Sequence, residues 1–456
     1  MIMINKNLFL LPFVLFFTIS CSTGKKNMKG SSGNDSVQKM LSDDSLLTLV
    51  QYRTFQYFWD GAEPNSGMAR ERFHVDGVYP ENDMNVVTSG GSGFGLMAIL
   101  VGIERGFITR YEGYERFCRV AGFLKNADRF HGAWPHWIYG ETGKVRPFSL
   151  KDNGADIVET AYLMQGLLAV RQYFDDGSES EKVLASEIDQ LWREVEWSWF
   201  TKGGEDVLYW HWSPEYGWDM NFAVRGYNEC LILYILAASS PTFPVSAKVY
   251  HMGWAGNGAI STKGGKYGYL LALKHNGNEE YGGPLFWAHY SYLGLDPRFL
   301  KDKYADYWQE NKNQTLINWN WCTLNPNKFA GYSSNCWGLT ASYSISGYSA
   351  HCPGENNDLG VISPTAALSS FPYTPEQSMN ALKHFYYVLG NKIWGEYGFY
   401  DAFSEQYNWF PQRYLAIDQG PAIIMIENYR TGLLWNLFMS SAEIQNGLNL
   451  LGFTAD

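Results

Sequence analysis

A chain of 456 residues with a formal net charge of −11 is too long for one minimal core and argues against a nucleic-acid or anionic-membrane partner. Aromatic residues make up 17% of it and Trp alone numbers 18, enough to fill a core and still set flat faces around a cleft, where sugar rings stack. The sequence has no GxSxG elbow, HExxH, P-loop or GxGxxG after a strand, which speaks against the corresponding hydrolase and nucleotide chemistries.

At the amino terminus Lys6, the apolar run LFLLPFVLFFTIS and Cys21 read as an export signal over residues 1–20, too short for a spanning helix. The string TISCS resembles a bacterial lipoprotein cleavage site, with Thr18 where Leu is commoner, so Cys21 is expected to start the mature chain and carry lipid. That implies a periplasmic or outer-membrane lipoprotein of a Gram-negative cell, touching membrane only through the anchor. Residues 21–44 are rich in Gly, Ser, Asn and Lys and read as a flexible tether, leaving 45–456 as one folded domain, expected to be monomeric.

Helical signals then run without a break. GGSGFGLMAILVGIERG and FITRYEGYERFCRVAGFLKNA predict a helix hairpin, with Gly106 as the stop and Thr109 with Glu112 at capping-box spacing. The glycine run lacks the strand and Lys-Ser/Thr of a phosphate loop, and a tight start to the helix is the better reading. About twelve helical segments are predicted, near 44–60, 90–105, 109–128, 155–175, 180–200, 222–238, 284–294, 298–312, 335–346, 375–389, 420–429 and 431–446. Long aromatic connections lie between them, notably GGEDVLYWHWSPEYGWDM and INWNWCTLNPNKFAGYSSNCW. With no strand-helix alternation and no 34-residue repeat, the class is all-α, a toroid of helix hairpins with long loops lining a cleft at one end.

Five cysteines remain besides Cys21. Cys118 and Cys230 lie in apolar helical runs and read as core, whereas Cys322 and Cys336 lie in loop-like sequence and are able to pair in an oxidising compartment. No metal-ligand spacing stands out, and neither metal nor cofactor is expected.

The carboxylates carry the chemistry. KDNGADIVETAYLMQG places Asp152, Asp156 and Glu159 at steps of four and three on an otherwise apolar helix, so all three project together if the helix reaches back that far. Like charges a turn apart need cations, donors or protons to coexist, and a carboxyl kept neutral by its neighbours makes a general acid. The plainer reading is that Asp152 and Asp156 cap the helix start. Glu229 is the lone charge between Arg225 and Lys248, ahead of an apolar run, and is either functional or a first-turn glutamate satisfied by free amides. Asp418 precedes Gly420 and Pro421, which predict a helix start, and so reads as a loop residue on the cleft rim or as one bonded to its own backbone. Several carboxyls around one cleft suit glycosidic hydrolysis, which needs an acid and a nucleophile or base on opposite sides of the anomeric carbon. The loop FHGAWPHWIYGETG, with Trp134, His136 and Trp137, reads as a substrate platform or as packing. Trp212, Trp218, Tyr227, Trp337 and Gln419 complete the expected substrate-binding set.

TSGGSGFGLMAILVGIERG, FHGAWPHWIYGETG, KDNGADIVETAYLMQGLLAVRQYF, RGYNECLILYILA and AIDQGPAIIMIENYRTGLLW together resemble the glucoamylase-like proteins of glycoside hydrolase family 144, from about residue 45 to the carboxyl end. The resemblance implies an (α/α)6 barrel, β-1,2-glucan as substrate, and catalytic carboxylates at Asp156, Glu159, Glu229 and Asp418, with Asp152 binding sugar. By the same resemblance Glu229 is the acid and Asp418 the base or water-positioning group of an inverting reaction, with Asp156 and Glu159 binding sugar. The rivals are an α-glucan hydrolase of glucoamylase type, a non-catalytic glycan-binding lipoprotein and, less favoured on an acidic cleft, a polysaccharide lyase.

Overall fold

A computed structural model describes residues 40–454; Cys21, the predicted signal and most of the predicted tether lie outside the described residues. The last tether residues already belong to the body. Ser42 caps the Asp43–Trp59 helix by accepting from the Ser45 amide at 3.2 Å.

The fold is predominantly helical, with strands of two to six residues in two- and three-stranded pieces. The Ser89–Glu104 helix packs against both the Ile157–Phe174 and Ala416–Arg430 helices at the centre, and the apolar Leu231–Ser239 helix packs on Ile157–Phe174. A helix apolar on nearly every side has to be covered on every side. The amphipathic Arg110–Asn126 and Glu179–Arg193 helices supply part of that cover, each burying one face. The predicted capping box is present, with Thr109 Oγ1 accepting from the Glu112 amide and Glu112 accepting from the Thr109 amide.

The glycine run GGSGFG forms the opening turns of the Ser89–Glu104 helix, as predicted. A Cβ on Gly93 would meet the Tyr162 carbonyl oxygen at 2.2 Å, and one on Gly166 would meet the Gly93 carbonyl oxygen at 2.1 Å. These two glycines let the central helices cross backbone to backbone. Adding a methyl at either would cost about 1–3 kcal/mol of overpacking.

The structure corrects several predicted elements. The Leu231–Ser239 helix begins nine residues after the predicted start at 222, because Gly226 takes a left-handed φ of +76°. Residues 284–294 form short 3-10 turns, not one helix. The segment predicted as a helix over 298–312 becomes helical only at Tyr307 and continues to Leu324, through residues read as a connection. Residues 335–346 are not helical: Gly338 adopts φ +131°, and Ala341–Ser344 pairs antiparallel with Gly347–Ala350. The last central helix starts at Ala416, so Pro421 lies inside it and forfeits only the bond to the Ile417 carbonyl. Cys322 and Cys336 are buried and unbridged.

Candidate active site

The Thr88–Ser89 junction, the 137–148 loop, the start of the Ile157–Phe174 helix and the 341–350 hairpin surround a cavity of about 530 Å³, lined by Glu71, His136, Trp137, Glu159, Trp210, Glu229, Phe286, Tyr290 and Tyr343 among others. Asp156 is the N-cap of the Ile157–Phe174 helix, its Oδ1 accepting from the Val158 and Glu159 amides at 3.0 and 2.9 Å. The capping role proposed for it is therefore real, and its other oxygen meets the histidines. That oxygen, Oδ2, accepts from His136 Nδ1 at 3.1 Å and lies 3.8 Å from His211 Nε2. Burial acts to raise the Asp156 pKa, but the His136 bond and the charges of His211 and His136 hold it below the usual range.

Asp152 precedes the helix instead of standing on its face, and its Oδ2 lies 3.5 Å from His211 Nε2. Burial and the charge on Asp156 push it up to about 7. Glu159 is on the helix, with Oε2 accepting from the Gly90 amide at 2.8 Å and from Thr88 Oγ1 at 3.5 Å. A Cβ on Gly90 would lie 2.4 Å from that oxygen, so the glycine makes room for the carboxyl. Burial pushes Glu159 up to about 7 despite His136 at 3.9 Å. His136 answers the cluster: burial disfavours its charge, yet Glu159, Asp156 and Asp152 together push it up to about 9. His136, Asp152 and Asp156 bring ligating atoms within 4.8 Å of one another, and the imidazolium supplies the charge a cation would bring.

Glu229 lies in the turn before the Leu231–Ser239 helix, which holds it on the cavity wall. Its carbonyl accepts from Ser291 Oγ and from the Tyr162 hydroxyl, fixing the backbone, while burial pushes its carboxyl up to about 7. Asp418 is not on a loop rim. It sits in the first turn of the Ala416–Arg430 helix, 1% exposed, one layer behind Tyr290, whose hydroxyl donates to its Oδ1 at 3.3 Å.

Asp401 is the residue sequence reasoning missed there. It shares a hydrogen bond with Asp418, and both line a separate small cavity. Asp418 Oδ2 and Asp401 Oδ1 are buried with no other donor, so the bond between the two carboxyls requires a proton. Burial pushes Asp401 up to about 6 and, with the charge of Asp401, raises Asp418 as well. Glu71 and Arg72, paired on the cavity wall, were also missed, as was His211. Only the aromatic setting YWHWS pointed to His211.

The aromatic predictions divide. Trp137 lines the cavity beside Phe148, with the guanidinium of Arg72 5.4 Å from its ring centre. Trp134 is fully buried, its indole N–H donating to the Leu124 carbonyl at 3.1 Å and Arg129 covering its ring at 4.3 Å, so it offers no face to a sugar. Its backbone still serves the site, because its carbonyl accepts from the Asp156 amide at 3.0 Å. Tyr227 and Trp337 are likewise core, bonded to Asn311 Oδ1 and the Gln377 carbonyl. Trp212 and Trp218 gather with Trp199, Trp212 also edging His131, apart from the cavity lining. Gln419 is buried and donates to the Phe399 carbonyl at 3.1 Å, facing the small cavity with Asp401.

The family model described as "Glycoamylase: Putative glucoamylase" matches residues 221–442. An endo-β-1,2-glucanase from Chitinophaga pinensis, solved with sophorotriose and glucose, is 66% identical with a TM-score of 0.90, over 91% of this chain and 99% of that one. An exo-β-1,2-glucooligosaccharide sophorohydrolase (non-reducing end) from Parabacteroides distasonis is 47% identical over 426 residues, 90% of this chain. The chain spans 58% of that relative's length. At such identity over nearly the whole of a solved relative, the chain belongs to the glucoamylase-like, β-1,2-glucanase family of glycoside hydrolases, family 144.

Proposed function

We propose that the chain is a glycoside hydrolase that cleaves β-1,2-glucan to sophorose or short β-1,2-gluco-oligosaccharides, with inversion. The observation that carries this reading is Glu229, a carboxyl with its pKa pushed up to about 7 on the wall of a cavity rich in aromatic and acidic groups. At neutral pH a substantial fraction of it holds a proton to give. In the proposed step Glu229 protonates the leaving glycosidic oxygen as its bond to the anomeric carbon breaks. A water attacks that carbon from the opposite face and passes its proton by way of Tyr290 to the Asp418–Asp401 pair, which shares one proton and keeps one negative charge to accept another. Asp156, Glu159 and Asp152 accept sugar hydroxyls, and Trp137 offers an apolar face. The helices are read as an (α/α)6 barrel, supported by the central buried helices, and the chain as an exported monomer held by lipid on Cys21.

Incubation of the purified chain with β-1,2-glucan, with starch in parallel, tests the substrate. Short β-1,2 products from the first alone are expected, and product from starch alone would overturn the reading. Proton NMR at early times should show the α anomer. Glu229→Gln should lower turnover at least a hundredfold with oligosaccharide binding retained.

A further inference from the structure

Outside the cavity, Cys336, His384 and Glu405 bring one ligating atom each within 4.8 Å of one another from three separate segments. Cys336 closes a tight turn in which it and Ser333 exchange both backbone hydrogen bonds, at 3.0 and 3.2 Å. His384 follows the Pro375–Lys383 helix and opens a single wide turn to Val388. Glu405 sits in the 404–409 turn, closed by paired bonds between Ser404 and Trp409. Cys336 itself, Phe385 next to His384, and Phe403 two residues before Glu405 lie in one buried hydrophobic cluster. Backbone structure independent of any ligand therefore holds each donor in place.

His384 Nε2 is buried and has no hydrogen-bond partner. A ring nitrogen in that state carries a desolvation cost that a ligand would remove. The Cys336 thiol beside it is kept protonated by burial and by the Glu405 charge. A divalent cation reverses that balance, because it binds the thiolate and the carboxylate at once.

We propose that Cys336, His384 and Glu405 bind a zinc ion. A thiolate, an imidazole and a carboxylate are the donors zinc takes together, with water as the fourth ligand. Bonds of about 2.0–2.3 Å place tetrahedral ligands roughly 3.3–3.7 Å apart, so the observed set closes on an ion by small side-chain rotations. Binding releases the thiol proton to solvent as the sulfur–zinc bond forms, with no change of oxidation state. The ion would tie together three segments that backbone hydrogen bonds do not join.

The chain is stripped with a chelator, equilibrated with zinc sulfate, desalted, and its metal measured by mass spectrometry alongside its melting temperature. About one zinc per chain is expected, with a rise in Tm. Cobalt in place of zinc should give a thiolate-to-metal charge-transfer band in the near ultraviolet. Cys336→Ser and His384→Gln should each abolish retention and the Tm rise, leaving hydrolysis of β-1,2-glucan by the metal-free chain unchanged. His384 is partly exposed, so its variant remains informative if the cysteine variant does not fold. Zinc at the buffer background in the unmodified chain, or retention that His384→Gln leaves intact, would overturn the proposal.

Discussion

Asp156 and Asp418 are both buried acids at the start of a central helix, and their surroundings treat them oppositely. Asp156 accepts two helix amides and an imidazolium, and is held ionised. Asp418 has one tyrosine hydroxyl and a second aspartate, and shares one proton with it, so that the pair keeps one negative charge able to take a proton. The same residue type at the same kind of position thus becomes a fixed charge in one place and a proton carrier in the other. Donor count decides between them: each amide or cation favours the charged form, whereas burial beside another carboxyl disfavours it.

Removing the titrating member should have the largest effect. In Asp418→Asn the side chain can still accept from Tyr290 and donate to Asp401, so the shape of the site persists while the base is gone. Turnover on β-1,2-glucan should fall about a thousandfold with KM changed only a few-fold. A loss confined to KM would assign Asp418 to binding, and the contrast with Asp156 would lose its chemical meaning.

His136→Gln attacks the comparison from the other side, by withdrawing the charge that keeps Asp156 ionised. Asp152, Asp156 and Glu159 are then left without their main counterion, and the pKa of Asp156 should rise toward that of its neighbours. Turnover should fall about ten- to a hundredfold and the pH optimum should move. An unchanged pH profile of kcat/KM would show that His136 does not set the charge of the cluster.

How much of this was legible follows from the range over which each signal acts. Asp156, Glu159 and their glycine-rich partner helix declared themselves because a charge inside a run of apolar residues is a local anomaly. Asp401 did not. It sits among short strands, and its significance lies wholly in a neighbour brought up by folding. The long Tyr307–Leu324 helix escaped for another reason: Asn311, Gln314 and Asn318 are buried, bonded to Tyr227, the Gly283 and Pro284 carbonyls and the Leu339 carbonyl. Amides facing inward erase the apolar stripe from which a helix is recognised. Trp134 and Trp337 show the converse, since an aromatic beside a site in sequence carries no mark that says whether its ring turns to the cleft or to the core.

Asp401→Asn separates the pair more gently. The Asn amide can donate to Asp418 Oδ2, which favours the ionised form and should lower the Asp418 pKa. The acidic limb of the pH–rate profile should move to lower pH, with turnover reduced about tenfold because the base is weaker. A profile that stays in place would mean the two carboxyls titrate independently.

The smallest effect is on stability, and its sign follows from the same groups. Asp152, Glu159 and Glu229 rise from ordinary carboxyl values to about 7, so the folded chain binds more protons than the unfolded one between roughly pH 4 and 7, and stability falls across that window as pH rises. His136, raised to about 9, adds stability that is complete below its unfolded value near 6.5 and disappears as pH climbs through 9. Both trends run the same way; His211, His289 and His351, held below their usual range by burial, oppose them only below about pH 6.5, so urea midpoints should decline from pH 6.5 to 9. Glu229→Gln removes one buried charge without touching His136. It should therefore raise stability at pH 8 by about 1 kcal/mol, leave pH 4 nearly unchanged and flatten only the lower part of the decline. If the variant were equally or less stable at pH 8, Glu229 would have to be solvated or paired in solution, and its standing as a proton donor at neutral pH would fall with that result.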